Sequence, residues 1–180
     1  MFFYKRAQIL VADVWAAYGR RAPPAPGAAP HPADVFAFGD VGALTMFADY
    51  RVPQLLRAWP GAGGSDGGGS DGGSDGACVL RYSAALARKV DAGALLPAGC
   101  AEEIEIRAAT VQAVELLRDE VDALRRARAA KAGGGGGGAD GVSGRGRGVL
   151  VVELDWWLWQ VGEKLRGSLA PHHRTLTSYY

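Results

Sequence analysis

The chain has 180 residues, of which 48% are hydrophobic, and a formal net charge of +1. That is enough apolar material for one domain with a core, although 27 glycines, gathered mostly in two tracts, leave roughly 130 residues to pack. A near-neutral field selects neither nucleic acid nor a membrane surface as a partner, and no apolar run approaches the ~18 residues of a membrane span. Cys78 and Cys100 lack metal-ligand spacing and read as free thiols in a reducing compartment. The N-terminus is not a signal peptide by its charge order, so a cytoplasmic protein is expected.

From Phe3 to Tyr18 the spacing predicts a helix. Phe3, Ala7, Leu10, Val14 and Ala17 form its apolar stripe, widened by Val11, Trp15 and Tyr18. Ile9 falls on the opposite side, with Lys5 and Asp13 along its ridge, which suggests that a second face is covered. Lys5 and Asp13 then edge a cleft or, on the plainer reading, lie at the surface. Residues 20–34 hold five prolines among Ala and Gly and read as an extended loop, after which Phe36 and Phe38 re-anchor the chain.

The run from Leu44 to Gln54 places an acid, a phenol and a guanidinium side by side as Asp49, Tyr50 and Arg51. Pro53 suits the first turn of a helix, and Val52 before it is biased away from helical angles. The expectation is a short helix over Thr45–Tyr50, a break, and a second helix over Pro53–Trp59. Free amides at a helix start favour a carboxylate there. By spacing alone, Asp49 caps a solvated helix junction.

Residues 61–76 are nearly all Gly, Ser and Asp and cannot offset their ordering entropy by burial. Their Ser-Asp-Gly triplets lack a bidentate Glu, so no metal is assigned. Val79–Val90 reads as a short helix with Ser83 as a plausible N-cap. Ala101–Lys131 is the longest periodic segment, with a seam through Ile104, Ala108, Val111, Val114, Leu117, Val121 and Leu124. Its acids lie first and its bases last, as the helix dipole prefers. Glu105, Arg107, Gln112 and Glu115 are ambiguous. Residues 132–148 form a second glycine tract, whose two Arg-Gly pairs fall short of an RNA-binding segment. Val149–Arg166 gives a last, aromatic-rich helix, read as mostly core, and the terminal Tyr179-Tyr180 pair is expected to tuck against the body. The class is all-α.

Five blocks, in order, carry a resemblance: Phe3–Gln8, Thr45–Gln54, Glu103–Ala108, Leu154–Trp159, and His172-His173-Arg174 with Tyr179-Tyr180. Together they resemble the queuosine salvage family of queuosine 5'-phosphate N-glycosylases. The resemblance implies an all-α fold similar to helix-hairpin-helix DNA glycosylases. The implied reaction is hydrolysis of queuosine 5'-phosphate to queuine and ribose 5-phosphate, for reuse of queuine in tRNA modification. It puts the catalytic carboxylate on Asp49 and the active-site lysine on Lys5. Tyr50, Arg51, Asp13, Trp156, His172 and Arg174 become substrate-binding candidates, and His173 a further cation for a 5'-phosphate. A 7-deazapurine has carbon in place of N7, so protonation there cannot help the base leave, and the burden falls on charge beneath the sugar.

The resemblance covers the C-terminal part of the family pattern. A single, N-terminally truncated helical domain over residues 1–180 is therefore expected, with flexible loops at 20–34, 61–76 and 132–148. The alternative is a non-catalytic helical fragment of such an enzyme. No cofactor or metal is expected. The partner is a small-molecule nucleotide rather than nucleic acid or membrane, and the chain is expected to be a monomer.

Overall fold

Gln8 fixes the first contact between distant parts of the chain. Its side chain accepts from the Thr45 amide (2.9 Å) and donates to the Thr45 hydroxyl (3.1 Å), tying the first helix to the segment that carries Asp49. This computed structural model describes residues 3–20, 27, 29, 31–59, 79–131 and 148–177. It contains α1 (Lys5–Val14), α2 (Arg51–Ala58), α3 (Ala84–Asp91), α4 (Ala101–Lys131) and α5 (Val151–Leu165). Among the described residues there is no strand beyond an isolated bridge between Leu95 and Arg174. The glycine tracts at 61–76 and 132–147, most of the proline-rich stretch and Tyr179-Tyr180 lie outside the described residues, so those expectations are not addressed.

The core forms where α2 packs on α5 and α4, and α5 on α4. Met46, Val52, Leu55, Leu56, Val114, Val151 and Leu158 are buried there together, each contributing on the order of 1.5–3 kcal/mol by leaving water. A second cluster joins Leu86 and Val90 of α3 to Leu96 and Ile106. Arg57 holds α3 to α2 through a two-pronged pair with Asp91 (2.7 and 2.9 Å).

Several expectations are corrected. The first helix is regular only to Val14, and Trp15–Gly19 widens into a π-turn. Its buried side runs through Ala12 and Trp15, while Leu10 of the expected stripe is 65% exposed. The second face, marked by Ile9, is the one that packs. Gly19 permits this turn, because a Cβ there would stand 2.0 Å from the Phe36 carbonyl oxygen. Pro32–Phe36 is a 3-10 turn rather than extended chain, and Phe36 lies 5.4 Å from the Tyr18 ring, the anchoring expected of it.

Leu44–Asp49 is not helical, and α2 begins at Arg51, so Val52 is helical despite preceding Pro53. The proline still sits in the first turn, where its missing N–H costs nothing. Ser83 caps α3 by accepting from the Leu86 amide. The span of α4 matches its pattern, but its buried stripe is Glu103, Ile106, Arg107, Thr110 and Val114, with Leu124 exposed. In α5, Trp157 and Trp159 are 52% and 44% exposed, so the tryptophans are less buried than expected.

Glu103 and Arg107 form an ion pair of 2.9 Å, and both are buried. Arg107 Nε also donates to the Ala48 carbonyl (3.1 Å). Removing one partner of a buried pair strands the other, at about 3–5 kcal/mol. Arg107→Met should lower stability by that amount in urea unfolding, and Glu103→Leu combined with Arg107→Met should recover a large part of it.

Candidate functional site

Asp49 ends the extended segment and faces the start of α2. Its Oδ1 accepts from the backbone N–H of Arg51 (3.1 Å) and of Val52 (3.0 Å). These are two of the amides that a helix start leaves unpaired, and the dipole there favours an anion. Spacing alone made this a solvated cap, yet Asp49 is only 4% exposed. Burial pushes its carboxyl above the usual range. The Val52 amide, the Lys5 charge, the Arg51 amide and the Arg51 charge pull it back.

Lys5 opens α1 and is half-buried. Burial lowers its ammonium pKa, against the attraction of Asp49 and Asp155 and together with repulsion from Arg107 and Arg6. The preceding Tyr4 has φ 48°, the only positive value for a non-glycine among the described residues. Such strain persists where surroundings over-determine it. Here Phe3 lies 4.3 Å beneath the Arg107 guanidinium, and its carbonyl accepts from the Gln8 side chain (3.0 Å).

Asp155, not singled out from the sequence, joins this cluster. It is 3% exposed, and its carboxyl is pushed up to about 7 by burial first and by Asp49 second. The Phe47 amide and Lys5 oppose the shift. A signal existed: Val151, Asp155, Leu158 and Gly162 lie at helical spacing along one face, and all four are buried. Gly162 on this seam leaves room for Arg51, since a Cβ would stand 2.8 Å from the Arg51 Cγ. Arg51 is held by Glu163 (2.6 Å) and by Gln54.

The other candidates separate into groups. Tyr50 turns away from Asp49 towards His172, with ring centroids 4.5 Å apart. Both line a cavity of about 200 Å³ with Leu95, His173, Arg174, Thr175 and Leu176. His172 Nδ1 donates to the His173 carbonyl (2.7 Å). His173 is buried, and its pKa is lowered to about 4 by burial, then by His172. Trp156 instead stacks near Phe47 (6.5 Å) and Arg20 (5.7 Å), and Asp13 is exposed on α1. The structure brings Asp49, Lys5 and Asp155 together, and Tyr50, His172 and Arg174 together. Asp13 and Trp156 line neither place. Among the described residues no His, Cys, Asp or Glu cluster could hold a metal, and no helix is long and apolar enough to cross a membrane.

The model of the family described as queuosine salvage protein matches residues 1–61 and 76–180. The chain belongs to the queuosine salvage family. Two relatives, both named queuosine 5'-phosphate N-glycosylase/hydrolase, show how far the similarity runs. The Dictyostelium discoideum protein is 35% identical over 180 residues, covering all of this chain and 40% of the relative. The Mus musculus protein is 32% identical over 182 residues, covering 99% of this chain and 40% of the relative. The chain thus spans about 40% of the length of the curated relatives it matches. The family match omits residues 62–75, the heart of the first glycine tract.

The shifted groups make stability depend on pH. Asp155 has a folded-state value near 7 against 3.8 unfolded, so the folded chain holds the extra proton between those values. Wild-type stability from this group is therefore lost as pH rises through that window, by on the order of 4 kcal/mol. His173 acts oppositely: its lowered value makes stability fall as pH drops from 6.5 towards 4. Asp155→Asn should be close to wild type near pH 4 and gain progressively on it up to about pH 8, measured by urea unfolding across pH.

Proposed function

We propose that the chain supplies the reacting carboxylate of a queuosine 5'-phosphate N-glycosylase/hydrolase. The observation that carries the reading is the placement of Asp49: withdrawn from water, fixed by two amides at a helix start, and under the influence of the Lys5 charge. Breaking an N-glycosidic bond builds positive charge on the ribose. A preorganised carboxylate in a dry site stabilises that charge where it develops, without reorganising at the moment of reaction. Asp49 then takes a proton from the attacking water as the water oxygen bonds to the sugar carbon. The base departs with the bonding electron pair as a ring-nitrogen anion, and the proton that Asp49 took from water passes to it through solvent, giving queuine and ribose 5-phosphate and restoring the carboxylate. Lys5 keeps Asp49 ionised in a site whose burial would otherwise protonate it.

Tyr50, one residue along, offers a ring face to the base, with His172 and Arg174 beside it for polar or anionic groups of the substrate. Arg51 supports this wall from behind. Trp156 and Asp13 take no part in the proposed site, because neither lies at the cavity or in the carboxylate cluster. The same reading takes residues 1–180 as one helical domain, of the kind seen in helix-hairpin-helix DNA glycosylases. It acts as a cytoplasmic monomer on a small-molecule nucleotide without touching nucleic acid, consistent with a net charge of +1.

The chain incubated with queuosine 5'-phosphate should release queuine, detected by chromatography. Asp49→Asn should lower kcat by about 10²–10³-fold with little change in substrate binding; an unchanged kcat would remove Asp49 from the chemistry. A second reading is favoured by the 40% span: a helical segment that is not catalytic by itself. It expects no queuine from this chain, while the Dictyostelium relative turns over and loses activity when its matching aspartate is changed.

A further inference from the structure

No step above uses Asp155, although it is buried as fully as Asp49. Its position on the apolar seam of α5 means that the packing which holds the helix also keeps its carboxyl out of water. The Phe47 amide donates to it. Its Oδ1, sealed from solvent, has no hydrogen-bond partner among the described residues. Asp49 differs in that one oxygen takes two amides at a helix start.

Two carboxyls in one dry site do not ionise together, and the first charge settles on the one with the better donors. The charged groups around the cluster come from three helices. Lys5 and Arg6 belong to α1, Arg51 to α2 and Arg107 to α4. Arg51 is engaged by Glu163 and Arg107 by Glu103, and both carboxyls of the cluster act on the single charge of Lys5.

We propose that Asp155 is a positioning residue for Asp49: it stays neutral behind it, so that the single negative charge of the cluster rests on the Asp49 carboxylate. Asp155 keeps its proton throughout, and no bond to it forms or breaks. An ionised Asp155 would compete for Lys5 and draw the cationic sugar off its line with Asp49. The proposal rests on Asp49 being the reacting carboxylate, yet its first test needs no turnover.

That test is a carboxyl ¹³C NMR titration of the 180-residue chain with labelled aspartate. Of the two carboxyls, Asp49 should ionise first as pH rises, with Asp155 still protonated near pH 6, below its own value of about 7. The Asp155 midpoint should fall by about one unit or more in Asp49→Asn, because the repulsion is gone. The Asp49 midpoint should stay within about half a unit in Asp155→Asn, because Asn replaces a group that was already neutral. The proposal is overturned if Asp49 holds the proton near pH 6, in which case Asp155→Asn drops its midpoint by about one unit or more. Should Asp155→Asn fail to fold, the two wild-type resonances, assigned by backbone connectivity, give the same decision.

Where queuine release is measurable, Asp155→Asn should retain the rate below about pH 6 and lose the alkaline decline of kcat, whereas Asp155→Leu should not restore the wild-type rate. A uniform drop with Asp155→Asn at every pH would mean a merely structural role and overturn the proposal. Absence of queuine release from every version would sink the glycosidase reading while leaving the titration result standing.

Discussion

One carboxylate capping two amides inside the core is the constraint on which the rest of the arrangement depends. Asp49 fixes where α2 begins, and α2 is the helix on which α4 and α5 both pack. The cap is unusual in being dry. Ordinary caps exchange an amide's water for a side-chain oxygen at the surface, whereas this one must also bear the cost of burying charge. Arg107 shares the work from the other side by holding the Ala48 carbonyl. The backbone on either side of the Asp49 side chain is therefore tied to two different helices.

Burying that acid forces a balance of charge that reaches across the fold. Arg107 is matched by Glu103, whose second oxygen accepts from the Gly99 amide (3.2 Å). Arg51 is matched by Glu163 and lies flat over Gly162. Arg107 and Arg51 are thus each committed to an acid, and Lys5 faces two carboxyls at once. A buried ion pair rarely adds much net stability over an apolar replacement. The presence of several around one acid is better explained by the need to hold that acid in place than by a gain in folding energy.

Much of the helical framework was legible in the sequence, because long periodic runs and caps are local signals. α4 begins and ends where its pattern and charge order place it, and Ser83 caps α3 as its spacing implies. What failed was facing. In α1 the apolar count favoured the side bearing Leu10, but the side that packs carries Gln8, Ile9 and Ala12: Gln8 is bound to Thr45, and Ala12 is small enough for close approach. In α4 the buried stripe contains Glu103, Arg107 and Thr110, residues that any hydrophobic template assigns to solvent. Buried ion pairs make polar residues behave as core, and periodicity cannot see a partner that lies far along the chain. Asp155 escaped because an acid is read as solvated, although its spacing with Val151, Leu158 and Gly162 marked the buried face. Asp49 and Lys5 were singled out by a resemblance to a family and not by spacing, which had made Asp49 a solvated cap.

The chain direction at Asp49 and Tyr50 separates two environments in the space of one residue. Asp49 looks inward to a dry cluster of carboxyls and Lys5, and Tyr50 looks outward to His172 and a cavity of about 200 Å³. On the proposed reading this alternation is what a nucleotide needs. The base and its polar substituents meet an aromatic wall with histidine and arginine, open enough to admit them, while the sugar carbon that becomes cationic meets an acid sheltered from water. A more open Asp49 would be screened by solvent and worth less against a developing charge, since the same pair of charges interacts far more strongly at low dielectric. A more closed Tyr50 would leave the base no face to rest on. Placing the two side chains next to each other at the start of a helix, with Pro53 already in its first turn, sets both orientations with the same few backbone bonds.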